Sequence, residues 1–430
     1  MGARFSSTTR SDRPGTRTAA GQRDPSLPED PDHSVLPPID RETTPLSQKQ
    51  DALEMMFMLE GMRMKQWIAD DINQKACLER IDNSAHADEY DPETFKPTSL
   101  PLDGEGFVQS FDVTEGDAIR AFFATHGLVV VRDVIDAEAC ARSLDELWGS
   151  LETSFPGLRR DDARTYERWP PLSKLGILGN TFVLSPQFCA NRQEPRLHRA
   201  FAHVFGTERL VVNVGRASAM RPTRGLPIGE GGALVDRPEW RSKAGPEWLH
   251  WDMNPFTGAA SSFSWRVKRP LCNRGYGKLR VQGILALSDC GADDGGFYCV
   301  PGSHAVVRGW AHRNADAVSN SALFSAESSI QLPLPKDDEL RRHGTKAPMR
   351  AGALLIWDAR LAHCNFPNDS AAMRVVQYVQ AAEADDPGIG PLCTYEALMP
   401  PSGQLELTTL GRRLHGFEPW PLEPQEESRL

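Results

Sequence analysis

The sequence predicts a mainly β fold of the α+β class: a jelly roll, or double-stranded β-helix, with helices packed outside it. Three observations carry this expectation. The second half of the 430-residue chain is a series of short apolar or alternating runs separated by turn residues. Helical periodicity is concentrated in the first half. Strands and helices never settle into the strand–helix–strand rhythm of a parallel doubly wound sheet, which leaves an antiparallel sandwich or jelly roll.

Residues 1–45 read as a disordered tail. Seven prolines, many Ser and Thr and few large apolar groups bury too little surface to offset the entropy of ordering. The opening MGARFS fits the acylation pattern at Gly2, and five arginines against one acid, Asp12, within residues 1–23 would add an electrostatic anchor. The same composition suits an organelle transit peptide, so weak membrane attachment and organelle import stand beside an inert tail on a cytoplasmic protein. Residues 46–82 are expected to be helical, because Leu53, Met56, Phe57 and Leu59, then Met62, Met64, Trp67 and Ile68, recur at three- and four-residue spacing. Together with a Pro-punctuated linker they make a helical extension over 46–97, ahead of a main domain over 98–430.

In the main domain, GDAIRAFFATHG predicts a helix closed by Gly127 in a left-handed cap. LVVVRDVI is a buried strand, and Asp136 is the N-cap of the helix DAEACARSLDELWGSLE. PRLHRAFAHVFG is a further helix and RLVVNVGRASAM a strand. Residues 217–248 are rich in Gly, Pro and Arg and too irregular for an element of their own. The strands then follow at 278–289, 295–302, 352–364 and 373–382.

Charge and cysteine usage narrow the function. A formal net charge of -10 argues against a nucleic-acid partner, since neutralising phosphates needs a basic surface. Eight cysteines without a C-x-x-C pair suit reduced thiols in an intracellular protein. The longest apolar runs, such as GLVVV and ALLIW, are too short for a transmembrane segment.

EWLHWDMNPF carries the first chemical signal. If it is a strand, His250 and Asp252 point the same way and converge as two ligands of a metal would, although H-x-D pairs also arise by chance. A third ligand is sought on a neighbouring strand, and His363 is the candidate. In LLIWDARLAH it shares parity with Leu355, Trp357, Ala359 and Leu361 and ends an inward-facing row if no bulge intervenes; a core or rim histidine is the plainer reading. Arg374 in MRVVQYVQ shares a face with Val376 and Tyr378, where a guanidinium requires an anion, either a ligand carboxylate or a protein acid. Two histidines and one carboxylate leave three open positions on an octahedral iron(II) for a chelating co-substrate and O2.

These motifs, in this order, resemble the phytanoyl-CoA dioxygenase family of iron(II)/2-oxoglutarate oxygenases over roughly residues 105–420. FFATHGLVVVRDVIDAEACARSLDELW is similar to the family's opening helix–strand–helix, LHWDMNPF supplies the H-x-D, and VQGILALSDCGADDGGFYCVPGSH ends in its P-G-S-H turn. GALLIWDARLAHCNFPNDSAAMRVVQYV supplies the distal His and the Arg at the family's spacing, and LTTLGRRLHGFEPW is similar to a closing segment of some relatives. The resemblance implies that His250, Asp252 and His363 are the catalytic metal ligands, holding Fe(II), and that Arg374 binds the distal carboxylate of 2-oxoglutarate. Gln282 or Asn365 would add a second contact to the co-substrate, and ascorbate would stimulate turnover. His304 belongs to the P-G-S-H turn and is set aside as a ligand. Halogenating relatives replace the acid with a small residue, so Asp252 favours hydroxylation, or a related desaturation, of an aliphatic C–H of a small-molecule substrate. Trp248, Trp251, Phe256 and Trp357 are candidates for an apolar shield. The alternative is a non-catalytic jelly-roll module that keeps metal and 2-oxoglutarate for sensing or interaction.

Substrate charge has one further signal. Arg266, Lys268, Arg269, Arg274, Lys278 and Arg280 follow the metal motif with no acid between Met253 and Ser288. They read equally as a guide for an anionic substrate, which Arg216, Arg221 and Arg224 would join, or as a solvated basic hairpin.

Overall fold

The computed structural model describes residues 38–69, 90–170, 175–179, 182–253, 255, 279–314, 332–386 and 396–421. It is a mixed α/β architecture dominated by two sheets. The helices Gly116–His126, Ala137–Ser154 and Pro195–Phe205 form where periodicity and caps place them. Gly127 closes the first in the left-handed region, with φ 75°, and the Asp136 side chain accepts the Ala139 N–H at the start of the second.

Thirteen strands lie among the described residues: β1 Ser110–Phe111, β2 Leu128–Val131, β3 Ile177–Gly179, β4 Leu210–Val212, β5 Ala217–Met220, β6 His250–Trp251, β7 Val281–Ala286, β8 Gly296–Cys299, β9 Leu332–Pro333, β10 Thr345–Ala347, β11 Leu354–Asp358, β12 His363–Phe366 and β13 Arg374–Glu383. The large sheet has the order β1-β2-β11-β7-β13-β5-β3, with β4 also pairing β13, and the small sheet the order β10-β8-β12-β6-β9. From β5 to β8 the chain crosses between the sheets at every strand, and it does so again from β10 to β13. Apart from β1 with β2, the strand pairs are antiparallel.

Two runs expected to be single strands are broken. RLVVNVGRASAM divides at Gly215, whose φ of 71° suits glycine and whose added Cβ would stand 2.0 Å from the Tyr378 carbonyl oxygen. The 352–364 run also divides, because the chain turns after β11 and re-enters the other sheet as β12. The Asp358 carboxylate makes that turn by accepting the Arg360 N–H at 2.8 Å and pairing with its guanidinium. His363 therefore does not end the row that runs through Leu355 and Trp357; it starts a new strand.

The main apolar core joins the helices to the large sheet through Leu354, Leu355, Ile356 and Trp357, all at most 1% exposed. A second cluster, with Leu249, Trp251, Met253, Trp310, Leu332 and Cys364, covers the other face of the small sheet. The expected irregular stretch 217–248 opens with β5, and past it residues 221–248 are irregular yet tied down: Leu226 and Val235 exchange both backbone hydrogen bonds, at 3.0 and 2.8 Å. Of the tail expected over 1–45, residues 1–37 lie outside the described residues. Residues 38–45 are held to the body by Arg41, which donates to the Pro400 and Leu405 carbonyls at 3.0 and 2.9 Å. The following helix, Leu46–Ala69, buries Ala52, Leu53 and Met56, and residues 70–82 of the expected helical segment lie outside the described residues.

Candidate metal centre

The small sheet brings together residues more than a hundred positions apart. His250 on β6 and His363 on β12 are direct cross-strand partners, with ring centroids 4.7 Å apart. Asp252 follows His250 by two positions and turns to the same side. The ligand atoms of the three buried side chains all lie within 4.8 Å of one another, a group that could hold a metal ion.

Hydrogen bonding sets the direction of each donor. His250 Nδ1 lies 2.7 Å from the Trp248 carbonyl and His363 Nδ1 2.9 Å from the Leu361 carbonyl. A carbonyl only accepts, so each Nδ1 carries a proton and each ring turns its Nε2 inward. Both Nε2 atoms face Asp252, at 3.6 and 3.2 Å. Three electron-pair donors aimed at one another are mutually repulsive until a cation stands between them. The donor set fits a first-row divalent metal such as iron(II). Burial would raise the Asp252 pKa, but hydrogen bonding and charge from His363 and His250, whose protons serve as that cation when no metal is bound, hold the carboxyl well below its ordinary value.

Behind Asp252 runs a chain of amides. Gln282 donates through Nε2 to Asp252 Oδ2, Gln380 Nε2 donates to Gln282 Oε1 at 2.6 Å, and Asn213 Nδ2 donates to Gln380 Oε1. The carboxylate accepts only, so it fixes the orientation of every amide in the series. Gln282 and Gln380 are cross-strand partners on β7 and β13. Gln282 is thus engaged with the acid of the trio, the role of an outer-shell partner. Gln380 and Asn213 escaped the sequence reading, although Gln380 shares parity with Arg374.

Arg374 has no exposed surface, and its Nη1 donates to Ser218 Oγ at 2.7 Å. Its Nε and Nη2 have no hydrogen-bond partner, and among the described residues no carboxylate pairs with it. Burial pushes the neighbouring Cys290 thiol up, and the guanidinium opposes that rise. Alternation along β13 puts Arg374 on the face that carries Tyr378 and Gln380. Both meet the centre's surroundings: Gln380 through Gln282, and Tyr378 through Asn365, whose amide exchanges hydrogen bonds with the Tyr378 hydroxyl at 3.0 and 3.1 Å.

The aromatic surroundings differ from the expected shield. Trp248 lies against His250 at 4.5 Å, and Phe297, which the sequence did not single out, stacks on His363 at 5.4 Å. Trp357 lies 5.2 Å from His363. Trp251 does not join them: one residue from His250, it points to the opposite face and packs edge-on against Trp310 at 4.7 Å. Phe256 lies outside the described residues. His304 stands apart from the centre, with its Nε2 3.2 Å from the Ala124 carbonyl.

The basic stretch divides. Arg266, Lys268, Arg269, Arg274 and Lys278 lie outside the described residues. Arg280 is no part of a solvated patch, because it is buried in an ion pair with Asp386 at 2.7 Å. Arg216 is exposed, Arg224 pairs with Asp369 at 2.8 Å, and Arg221 lies over the Trp240 ring. Cys140, Cys189, Cys290, Cys299 and Cys364 are free buried thiols, while Cys77, Cys272 and Cys393 lie outside the described residues.

Comparison with known proteins bears on this geometry. Residues 242–376 match the family model described as phytanoyl-CoA dioxygenase (PhyH). The chain is phytanoyl-CoA dioxygenase-like over that segment. The segment contains all six residues that the resemblance assigns: His250, Asp252, Gln282, His363, Asn365 and Arg374. A Dictyostelium discoideum protein named "Putative phytanoyl-CoA dioxygenase" is 22% identical over 332 residues, covering 67% of this chain and 86% of that protein. Among solved structures, AviO1 from Streptomyces viridochromogenes Tue57 is similar at 17% identity and a TM-score of 0.38, over 64% of this chain and 97% of its own. The epimerase SnoN in complex with Fe3+, alpha ketoglutarate and nogalamycin RO is similar at 15% identity and a TM-score of 0.39, over 64% of this chain and 85% of its own. The phytanoyl-CoA dioxygenase match supports an oxygenase-type function. Among the described residues, no helix is long and apolar enough to cross a membrane.

Proposed function

We propose that the protein is an iron(II)/2-oxoglutarate-dependent dioxygenase that oxidises an aliphatic C–H bond of a small organic substrate. The observation that carries this reading is a pair of unmet demands within the matched segment 242–376. Three inward-facing electron-pair donors call for a cation, and a buried guanidinium without a protein acid calls for an anion. In this reading His250, Asp252 and His363 hold iron(II), and Arg374 receives the distal carboxylate of 2-oxoglutarate. Asn365, two residues beyond His363 and fastened by Tyr378, is the candidate for a further contact to the co-substrate.

Iron(II), with 2-oxoglutarate and O2, supplies the oxidising chemistry. The chain's own residues position and protect. The Trp248 and Leu361 carbonyls lock both imidazoles in the tautomer that a metal needs. Gln282 occupies one oxygen of Asp252 and orients the carboxylate. Phe297, Trp357 and Trp248 form an apolar wall that excludes water from the reacting groups.

The double-stranded β-helix belongs to the same proposal. It is supported by the repeated crossing between sheets and by the placement of β6 and β12 as neighbours in one sheet with β7 and β13 as neighbours in the other. We also propose the division into a tail over 1–45, an extension over 46–97 and an oxygenase domain over 98–430. The test is succinate release in the presence of iron(II), ascorbate and 2-oxoglutarate, alongside the visible absorption of a cobalt(II)-loaded sample. Both signals should disappear in His250→Ala. A variant that retains both would defeat the assignment, and metal and 2-oxoglutarate binding without turnover on a broad substrate panel would leave a sensor module in its place.

A further inference from the structure

Apart from the metal centre, the irregular segment after β5 lines a half-open pocket of about 180 Å3. Its lining includes Arg221, Arg241 and Lys243, with Trp169, Trp240 and Met220, and, among the described residues, no acidic side chain. In a chain of net charge -10 this local balance is unusual. Arg241 and Arg224 share one acid, Asp369, at 3.7 and 2.8 Å, while Glu239 and Glu167 act on Arg221 only through their charge, without an ion pair.

Arg221 is the informative member. Its guanidinium lies over the Trp240 ring, 4.6 Å from the centroid, and donates through Nη1 to the Tyr166 carbonyl. Among the described residues no carboxylate forms an ion pair with it, and its Nε donates only a long bond, 3.5 Å, to the Trp240 carbonyl. Burial, opposed by the charges of Glu239 and Glu167, pulls its pKa down to about 10, which leaves it charged at neutral pH. The wall that presents it is built rather than loose. Asn368 Nδ2 donates to the backbone carbonyls of Met220 and Arg221 at 3.3 and 3.1 Å, and Thr223 Oγ1 donates to the Asn368 carbonyl at 3.1 Å. The cavity also adjoins the surroundings of Arg374. Met220 is the cross-strand partner of Arg374, and the carbonyl of Gly176, another lining residue, accepts from the Ser218 hydroxyl that Arg374 contacts.

We propose that this cavity is a subsite for an organic anion, whose carboxylate or phosphate is met by Arg221 and Lys243 and whose apolar body lies against Trp169 and Met220. The volume is below the roughly 300–1,000 Å3 of sites for drug-sized ligands, so it takes a small acid or the acidic end of a longer molecule. Its place beside Arg374 makes it a substrate subsite, a clause that rests on the proposed oxygenase reading; the capacity to bind the anion does not.

The experiment uses the full chain freed of metal by chelation, in the Arg374→Met background so that the deeper guanidinium cannot answer for the shallower one. Benzoate, phenyl phosphate and benzyl alcohol are titrated by calorimetry at neutral pH. The two anions should bind and the alcohol should not. A charge-assisted contact predicts that Arg221→Gln weakens the anions about tenfold or more, and that the exposed Lys243→Ala, which carries little risk to folding, weakens them several-fold. Affinity should fall as salt is added. Benzyl alcohol binding as tightly as benzoate, anion affinities untouched in both variants, or no anion binding at all would each overturn the proposal. If anions bind normally while His250→Ala leaves succinate release unchanged, the oxygenase reading fails and the anion site stands.

Discussion

Arg374 sits with no exposed surface, one nitrogen on the Ser218 hydroxyl and two others lacking any acceptor. Replacing it by Met should therefore move two quantities in opposite directions. Each unsatisfied buried N–H group costs roughly 1–3 kcal/mol, so the two together burden the ligand-free protein by about 2–6 kcal/mol. Methionine fills much of the same space without a charge, and its own cost is the lost Ser218 bond, about 0.5–1.5 kcal/mol, plus imperfect packing. The net expectation is a gain of about 1–4 kcal/mol in the ligand-free state, seen as a rise of several degrees in Tm for a protein of this size. Binding of 2-oxoglutarate should suffer the reverse. Removing one partner of a buried charge pair costs about 2–5 kcal/mol, which is about 30- to 5,000-fold in Kd. Differential scanning calorimetry on the chelated protein and anaerobic titration of the manganese(II) form with 2-oxoglutarate read the two effects separately. A ligand-free Tm that falls by several degrees while the Kd for 2-oxoglutarate stays the same would refute the reasoning, since it would mean that the guanidinium is satisfied within the fold.

Three other expectations follow from named contacts. Gln380→Leu touches neither the metal position nor Asp252, yet it removes the donor that orients Gln282; metal affinity measured with cobalt(II) should fall about 10- to 100-fold, the range for outer-shell partners, and unchanged affinity would show that Gln282 needs no support. Asp386→Asn leaves Arg280 buried without its counter-charge and should cost about 3–5 kcal/mol by urea unfolding, whereas a loss below about 1 kcal/mol would place that pair in contact with water. Burial holds the pKa values of His126, His198 and His304 below their ordinary 6.5. The unfolded chain then binds more protons than the folded one as pH falls through that value, so Tm should drop between pH 7.5 and 5.5, and a flat or rising profile would contradict it.

What the sequence disclosed, and what it hid, follows from how local each determinant is. Gly127 and Asp136 announce helix boundaries because a left-handed cap and an N-cap are decided within a few residues. His250 and Asp252 were legible for the same reason, since two positions along an extended chain fix a common direction. His363 was found for a reason that does not hold. The parity row through Leu355 and Trp357 stops at Asp358, where a side chain turns the backbone with no glycine or proline to mark it. His363 reaches His250 because β12 changes sheets and pairs with β6. Arg280 was misjudged because its partner lies 106 positions away, a distance over which composition says nothing about contact. Arg374 shows the opposite case. A lone guanidinium in an apolar strand poses a question that sequence can state but not answer, namely whether a protein acid meets it. The lack of such an acid among the described residues turns a common surface residue type into the strongest pointer to a ligand, because a buried charge that the fold leaves uncompensated is destabilising unless something outside the chain completes it.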